Sequence, residues 1–379
     1  MNKSNSYENL GASASKEGLH RALEKSGLEM DARYFCQVLP ARDGYHRFMH
    51  CDGAGTKSMV SFHQFEETGN AQAFKGLAQD ALAMNLDDIF ASGPAEELAL
   101  ANTIGRNKKA VPDEALQVII SEYNSLTKKF GDLGIPIQMA GGETADCGDI
   151  VRTILVDAIV SGKFNQKSLV DLSRIEAGDV IVGLSSTGQT TYEDSPNSGI
   201  SSNGLTLARN AILSSKYKNE TPYAGKYELS DTPEVLQGQS IFQALTSPTR
   251  IYAPILNALH QKLGANIHGI IHLTGGAHTK ILRFAKNLTF IKNDLFPVPP
   301  IFQLIQETGD IPLREMYEVF NMGHRIEIIL PPSFANEVIT ICNGFKLKAK
   351  IIGEVVANTN NITRVIIETA EKLEYRLPN

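Results

Sequence analysis

Apolar residues recur at helical spacing within "AFKGLAQDALAMNLDDIFASG" (73–93), where Ala78, Ala81, Leu82, Leu86 and Ile89 form one stripe. The spacing predicts a buried helix ended by Gly93 before Pro94. Upstream, "RFMHCDGAGTK" reads as a short strand running into a glycine loop. Downstream, "EELALANTIG" reads as a strand. Residues 113–134 read as an amphipathic helix with Asp113 as N-cap and Gly131 or Gly134 as its stop. "IPIQMAGGETAD" predicts a buried strand followed by a second glycine turn, and the β-branched "VRTILVDAIVSG" a sheet strand.

Between 165 and 178 the pattern changes. "SRIEAGDVIVGLSSTG" opens a new unit around a strand at Val180–Leu184, followed by a glycine- and serine-rich loop and a helix over 204–214. A polar insertion rich in Tyr, Lys and Glu occupies 215–240. "HGIIHLTGGAHTKI" predicts a strand, a glycine turn and a helix start. Strands and helices alternate without strict βαβ spacing, so the expected fold is mixed α/β (α+β) in two domains, 1–170 and 171–379.

With 379 residues, two cores fit more easily than one. A net charge of -6, no Trp and 7% aromatics give neither a basic surface nor a base-stacking platform, so no nucleic-acid partner is expected. Cys36, Cys51, Cys147 and Cys342 form no CxxC pair, which predicts reduced thiols. The sequence has no long uncharged apolar run and its first residues lack an apolar leader core. The expectation is a cytoplasmic protein without a membrane partner.

The chemistry concentrates in "DGAGTK" (52–57). Its spacing fits neither the P-loop nor the dinucleotide fingerprint. An acid at a strand end can hold a hard divalent ion, Gly53 and Gly55 let backbone approach phosphate, and Lys57 can neutralise it. On these six residues alone, a tight hairpin with a solvated lysine is the simpler account. The next helix adds Asp80, Asp87 and Asp88 on one half of its cylinder, which repel unless a cation or basic partner is present. "GGETAD" adds Glu143 and Asp146, and such oxygen-rich sets suit Mg²⁺ with nucleotide phosphate.

Eight segments then occur in order: "DGAGTK", "DALAMNLDDIFASG", "GGETAD", "GDVIVGLSSTG", "SNGLTLAR", "SPTRIYAPIL", "HLTGGAHTKI" and "EMYEVFNMG". Together they resemble the phosphoribosylformylglycinamidine cyclo-ligase (aminoimidazole ribonucleotide synthetase) family. The resemblance implies ATP-dependent closure of formylglycinamidine ribonucleotide to aminoimidazole ribonucleotide. It also implies a homodimer whose N-terminal sheets join into a barrel, with C-terminal domains flanking the ATP cleft. Carried onto this chain, it implies that Asp52 and Asp88 hold Mg²⁺, with Asp80 in support. Gly53, Gly55, Thr56, Lys57, Gly142 and Thr144 would line the ATP cleft beside Asp52 and Asp80. Ser202, Asn203, Gly204, Thr249, Arg250, Thr274, Gly275 and Gly276 would face the substrate. His272 and Glu143 are the catalytic candidates. The alternative for Arg250 is a surface salt-bridge partner, over which its motif context favours binding; for His272 a hydrogen-bonded core histidine is a nearly even alternative.

Three departures stand on the substrate side. Ser201 replaces the histidine of the family's "HSNG", "QTTYEDSPN" is inserted before it, and the glycine-rich segment before Asp52 shrinks to "ARDGYHRF". Two other readings follow: a kinase-like or selenophosphate synthetase-like member of the same superfamily, or a silent nucleotide-binding paralogue.

Overall fold

The computed structural model describes residues 6–13, 17–27, 30–218, 222–358 and 362–377. Two short helices, α1 (Ser6–Asn9) and α2 (Glu17–Ser26), precede the first sheet. That sheet holds β1 (Tyr45–Gly53), β2 (Ala95–Arg106), β3 (Ile137–Asp146) and β4 (Ile154–Asn165) in the order β1-β4-β2-β3. Alternation decides its two faces. Leu98, Leu100 and Ile104 of β2 and Val156, Ala158 and Val160 of β4 are buried. They pack toward α4 (Gly76–Ser92) and α5 (Asp113–Asp132), while α3 (Lys57–Thr68) follows the glycine loop. The other face presents Met49, Cys51 and Leu155 to solvent, with Ala99, Ala101 and Ile159 half-buried.

The second sheet contains β5 (Val180–Ser185), β8 (Gly269–His272), β9 (Leu288–Lys292), β10 (His324–Leu330), β11 (Ala349–Ala357), β12 (Arg364–Glu368) and β13 (Lys372–Arg376). Its order is β13-β12-β9-β11-β5-β10-β8, and every pairing except β9–β12 is antiparallel. A small pair, β6 (Thr187–Gly188) and β7 (Asn197–Ser198), closes the insertion beside β5. Helices α6 (Leu205–Ile212), α7 (Ile241–Thr246), α8 (Ala253–Leu263), α9 (Pro300–Gly309), α10 (Leu313–Val319) and α11 (Ala335–Gly344) complete this half. No described helix is long and apolar enough to cross a membrane. The mixed α/β class in two domains is therefore the observed fold.

Several local expectations are corrected. β3 continues through Gly141 and Gly142 to Asp146 with a register shift between Met139 and Gly141 and no turn, and it is largely exposed because it is an edge strand paired only with β2. Asp113 is the first residue of α5 and Pro112 its N-cap; the Asp113 carboxylate is taken by Arg106. After Gly276 the chain makes only a 3-10 turn, Ala277–Arg283. The polar insertion is pinned to the end of α6 through Leu213↔Tyr227 and Ser214↔Gly225, although residues 219–221 lie outside the described set. At Gly225 a Cβ would stand 2.2 Å from the Ile212 carbonyl, so that close approach requires glycine.

Helix α4 is the seam. All but two of its residues, Gly76 and Gln79, are buried, and it touches β1 and β4 on one side and β8 and α8 on the other. His260 of α8 donates from Nε2 to the Phe90 carbonyl at 2.7 Å, satisfying one of the last carbonyls of α4. Burial pushes the His260 imidazole down from 6.5 to about 4. The unfolded chain then binds a proton that the folded chain refuses, so stability is full above pH 6.5 and falls as pH drops toward 4. The expected loss from this residue is about 2 kcal/mol at pH 5. His260→Gln, whose amide can still donate, should flatten that part of the pH dependence; urea midpoints at pH 7 and pH 5 measure it.

Candidate active site at the seam of the two sheets

Each buried aspartate of α4 meets a basic partner from another element. Asp80 accepts from Lys57 Nζ at 2.7 Å and from the Thr249 amide at 2.8 Å. Asp87 accepts the Tyr252 and Ala253 amides at 2.7 and 3.1 Å, capping α8 from outside, and lies 3.5 Å from Arg325 Nη2. Asp88 Oδ1 lies 2.5 Å from His272 Nδ1, and its Oδ2 lies 3.4 Å from His50 Nε2. Burial opposes the charge on Asp88, but Lys280 and the hydrogen bonds from His272 and His50 hold its carboxyl well below the usual aspartate value.

His272 is fully buried and its tautomer is fixed. Arg325 donates to Nε2 from Nε at 3.0 Å and Nη2 at 2.6 Å, so the ring proton sits on Nδ1 and points at Asp88. Burial, followed by the Arg325 charge, pushes this imidazole down to about 3. The ring therefore positions an ionised Asp88 at the edge of the cleft.

Asp52 closes the exposed end of β1, its Oδ1 accepting the Gly53 amide at 2.7 Å. Asn85 ties this end to α4 by donating to the Asp52 carbonyl. Asp157, opposite Gly53 on β4, lies on the other face of the sheet from Asp52; burial and then the Asp52 charge raise its carboxyl above its ordinary value. A Cβ on Gly53 would stand 1.7 Å from Asp157 Oδ1.

The positive end lies across the glycine loop. Thr56 is the N-cap of α3 and Gly204, in the left-handed region, that of α6. Thr56 Oγ1 and Thr206 Oγ1 are 3.1 Å apart, so the free amides of two helix starts converge. Arg209 is 5% exposed, donates from Nη1 to the Thr56 carbonyl, and leaves Nε without a partner. Among the described residues it forms no ion pair. A buried guanidinium without a carboxylate, beside two helix N-termini, is a site for an anion.

Several sequence-derived assignments change here. Lys57 is fully buried against Asp80 and the Ser247 carbonyl, so it is turned away from the cleft and Asp80 is not open to a metal. Arg250 is 1% exposed, with donors held by Glu193 and the carbonyls of Ser185, Thr187 and Gly188, so it braces the "QTTYEDSPN" loop and has no surface role. Thr249 is also buried, with Oγ1 3.2 Å from Ser202 Oγ. His272 is a core histidine with both nitrogens engaged. Glu143 pairs across β2 with Thr103, in the row of Asp157, which places it on the sheet face opposite Asp52. Gly142 and Thr144 are exposed on β3, in the rows of Asn102 and Ile104.

Gly53, Gly55, Thr56, Ser202, Asn203 and Gly204 do come together. A Cβ on Gly55 would lie 3.7 Å from the Ser202 carbonyl. Ser201 Oγ accepts the Asn203 amide at 3.2 Å, serving the loop's own turn. Thr274 accepts from Lys280, while Gly275 and Gly276 shape the turn that brings Lys280 round toward Asp88. The sequence reading missed His50, Arg209, Lys280 and Arg325. Arg209 sat in the quoted "SNGLTLAR" at the helical face that reaches back to the helix start, a signal that was legible. Arg325 carried no such signal.

The glycine loop thus has Asp52 at the end of the strand that enters it and the paired starts of α3 and α6, with Arg209, at the end that leaves it. The fold is shared, at low identity, with Thermotoga maritima PurL complexed with FGAR (TM-score 0.55, 16% identity). That likeness covers 89% of this chain and 46% of the PurL chain, so this chain spans about half its length. Thiamine monophosphate kinase from Aquifex aeolicus is similar too (TM-score 0.55, 11% identity, 92% and 96% coverage). AIR synthase related protein N- and C-terminal domains match residues 35–164 and 176–366. Phosphoribosylformylglycinamidine cyclo-ligase of Methanocaldococcus jannaschii is 31% identical over 82% of this chain and 79% of its own. The Pyrococcus horikoshii enzyme of that name is 30% identical over 85% and 83%. The chain belongs to the phosphoribosylformylglycinamidine cyclo-ligase family.

The bracing role of Arg250 is testable. Glu193→Ala strands a buried guanidinium and is expected to cost about 3–5 kcal/mol of stability. Denaturant titration should show that loss without a matching rise in KM.

Proposed function

We propose that this protein uses ATP to close formylglycinamidine ribonucleotide into aminoimidazole ribonucleotide, a step of purine synthesis. The observation that carries the reading is the pairing of an ionised Asp88 and exposed Asp52 with the Thr56, Gly204 and Arg209 anion site across one glycine loop. In this reading the amides of Gly55 and Thr56, the α3 and α6 starts, and Arg209 hold phosphate oxygens. Ser202 and Asn203 line the same loop for the nucleotide substrate.

Asp52 and Asp88 fit Mg²⁺ by chemistry: both are carboxylates, Asp52 is exposed, and Asp88 is kept charged by its neighbours. Bound there, the ion would offset charge on the transferring phosphoryl group. The γ-phosphoryl group of ATP passes to the formamide oxygen, giving an iminophosphate and ADP. The amidine nitrogen then attacks that carbon, loses its proton to water, and inorganic phosphate leaves. The site contributes by holding the two reacting groups together and by electrostatic complementarity. With His272 buried, no imidazole base is assigned, and Ser201 in place of the family histidine is compatible with that.

The open face of the first sheet supports a homodimer. Met49 is 74% and Leu155 41% exposed beside the unpaired edges of β1 and β3, a surface that a second copy would cover.

A cyclisation assay with ATP, Mg²⁺ and formylglycinamidine ribonucleotide tests the activity. Asp88→Asn or Asp52→Asn should lower turnover by orders of magnitude, since loss of metal-assisted charge stabilisation costs several kcal/mol. Arg209→Gln should raise the KM of a phosphate-bearing substrate by about 10- to 100-fold, the worth of a charged hydrogen bond. Ser201→Ala should keep most activity. Inactive wild type that still binds ATP would point to another substrate of the superfamily. Sedimentation of an active monomer at micromolar concentration would remove the dimer.

A further inference from the structure

Behind the Asp88–His272–Arg325 array lies a second polar cluster with no place in the proposed ring closure. It draws His278 from the 3-10 turn after Gly276, Lys292 from β9, and His324 and Glu327 from β10. All four side chains are at most 1% exposed. Tyr317 of α10 stands edge-on to the His278 ring, and the two histidine rings lie 4.8 Å apart at 85°. Phe296 flanks His324 at 6.1 Å.

The hydrogen bonds fix what each group has left. His278 Nε2 lies 3.0 Å from the Asn321 carbonyl and must carry the proton, leaving Nδ1 as a lone pair. His324 Nε2 lies 2.9 Å from Glu327 Oε1 and donates to it, leaving its own Nδ1 as a lone pair. Lys292 also donates to Glu327 Oε1, at 2.6 Å, so Oε2 is vacant. His278 Nδ1, His324 Nδ1 and Glu327 Oε2 are all buried without a partner. One donor atom from each of His278, His324 and Glu327 lies within 4.8 Å of the other two.

The Lys292 ammonium is committed to Glu327 Oε1 and to the His278 carbonyl, and three buried acceptor atoms left without a hydrogen bond are costly. Such acceptors call for a cation. Two imidazoles and one carboxylate select a borderline metal such as Zn²⁺ over Mg²⁺, which prefers oxygen ligands. We infer that His278, His324 and Glu327 form a structural site for a zinc-class transition metal, separate from the Asp52 and Asp88 side of the molecule. Contraction of the three ligands around one ion would tie the 3-10 turn to β10, one residue from Arg325.

The test uses full-length protein purified without a metal-affinity tag. Bound metal is measured by plasma mass spectrometry. Melting is compared after unfolding in chelator and refolding with or without zinc chloride. The inference expects about one zinc per chain and a melting temperature raised by refolding with zinc. Glu327→Gln and His324→Gln should lose the metal, while Asp88→Asn keeps it. If His324→Gln fails to fold, the near-isosteric Glu327→Gln and the wild-type refolding comparison still decide. Metal-free wild type whose melting is unmoved by zinc, cobalt or nickel would overturn the inference. So would zinc retained by Glu327→Gln, or zinc lost in Asp88→Asn.

Discussion

Three carboxylates on one buried helix are the constraint from which the rest of this architecture follows. An ionised aspartate in a protein interior is costly by several kcal/mol unless it is paired and hydrogen-bonded. Helix α4 carries Asp80, Asp87 and Asp88, all under 9% exposed, and none of its partners comes from α4 itself. Lys57 arrives from α3, Arg325 from β10, His272 from β8, and amides from the 249–253 segment. The two sheets must therefore dock in one relative pose for α4 to be neutral. Apolar burial supplies the attraction between the halves, but the acids select the geometry.

The same pairing sets the chemistry of the exposed edge. Asp80, through Oδ1, and Asp87, through both oxygens, are bonded to structural partners. Asp88 is clamped on one oxygen by His272, and its other oxygen lies toward His50 at the rim. Arg325 holds His272 in the tautomer that donates, so a residue far from any phosphate governs the charge of one at the cleft. Opposite, Arg209 is buried without an acid, the inverse situation, and two helix starts add to its field. Negative and positive ends are thus separated by only the glycine loop, an arrangement suited to a metal–nucleotide complex whose own charges alternate.

Much of this was legible in the chain, and the failures have physical causes. Strands β2 and β4 follow from alternation, because each buries one clear face, while α4 and β5 are buried nearly all round and were legible as apolar runs bounded by turn residues. The acids of α4 were recognised as needing partners, yet sequence alone cannot say whether a cation or a lysine answers. Lys57 answered for Asp80, which removed both from the cleft. Arg250 sits in a distinctive motif, but five donor contacts to Glu193 and three carbonyls show a brace that only tertiary structure reveals. Glu143 was misplaced because "GGETAD" looks like a turn, while edge pairing with β2 keeps it extended and alternation sends it to the other face.

The glycine loop shows why motif and mechanism part company. Its lysine suggests a phosphate clamp, but it begins α3 and points inward, where its ammonium is bonded to Asp80 and to the Ser247 carbonyl. That inward anchor pulls the first turn of α3 against the 247–249 segment and holds Thr56 beside Thr206. Lys57 thus acts on an anion only by fixing the backbone amides that would meet it. The guanidinium beside the loop is instead that of Arg209, on α6 and 153 residues after the Thr56 carbonyl it binds. A phosphate site assembled this way depends on the docking of the two halves, which returns control to the buried acids of α4.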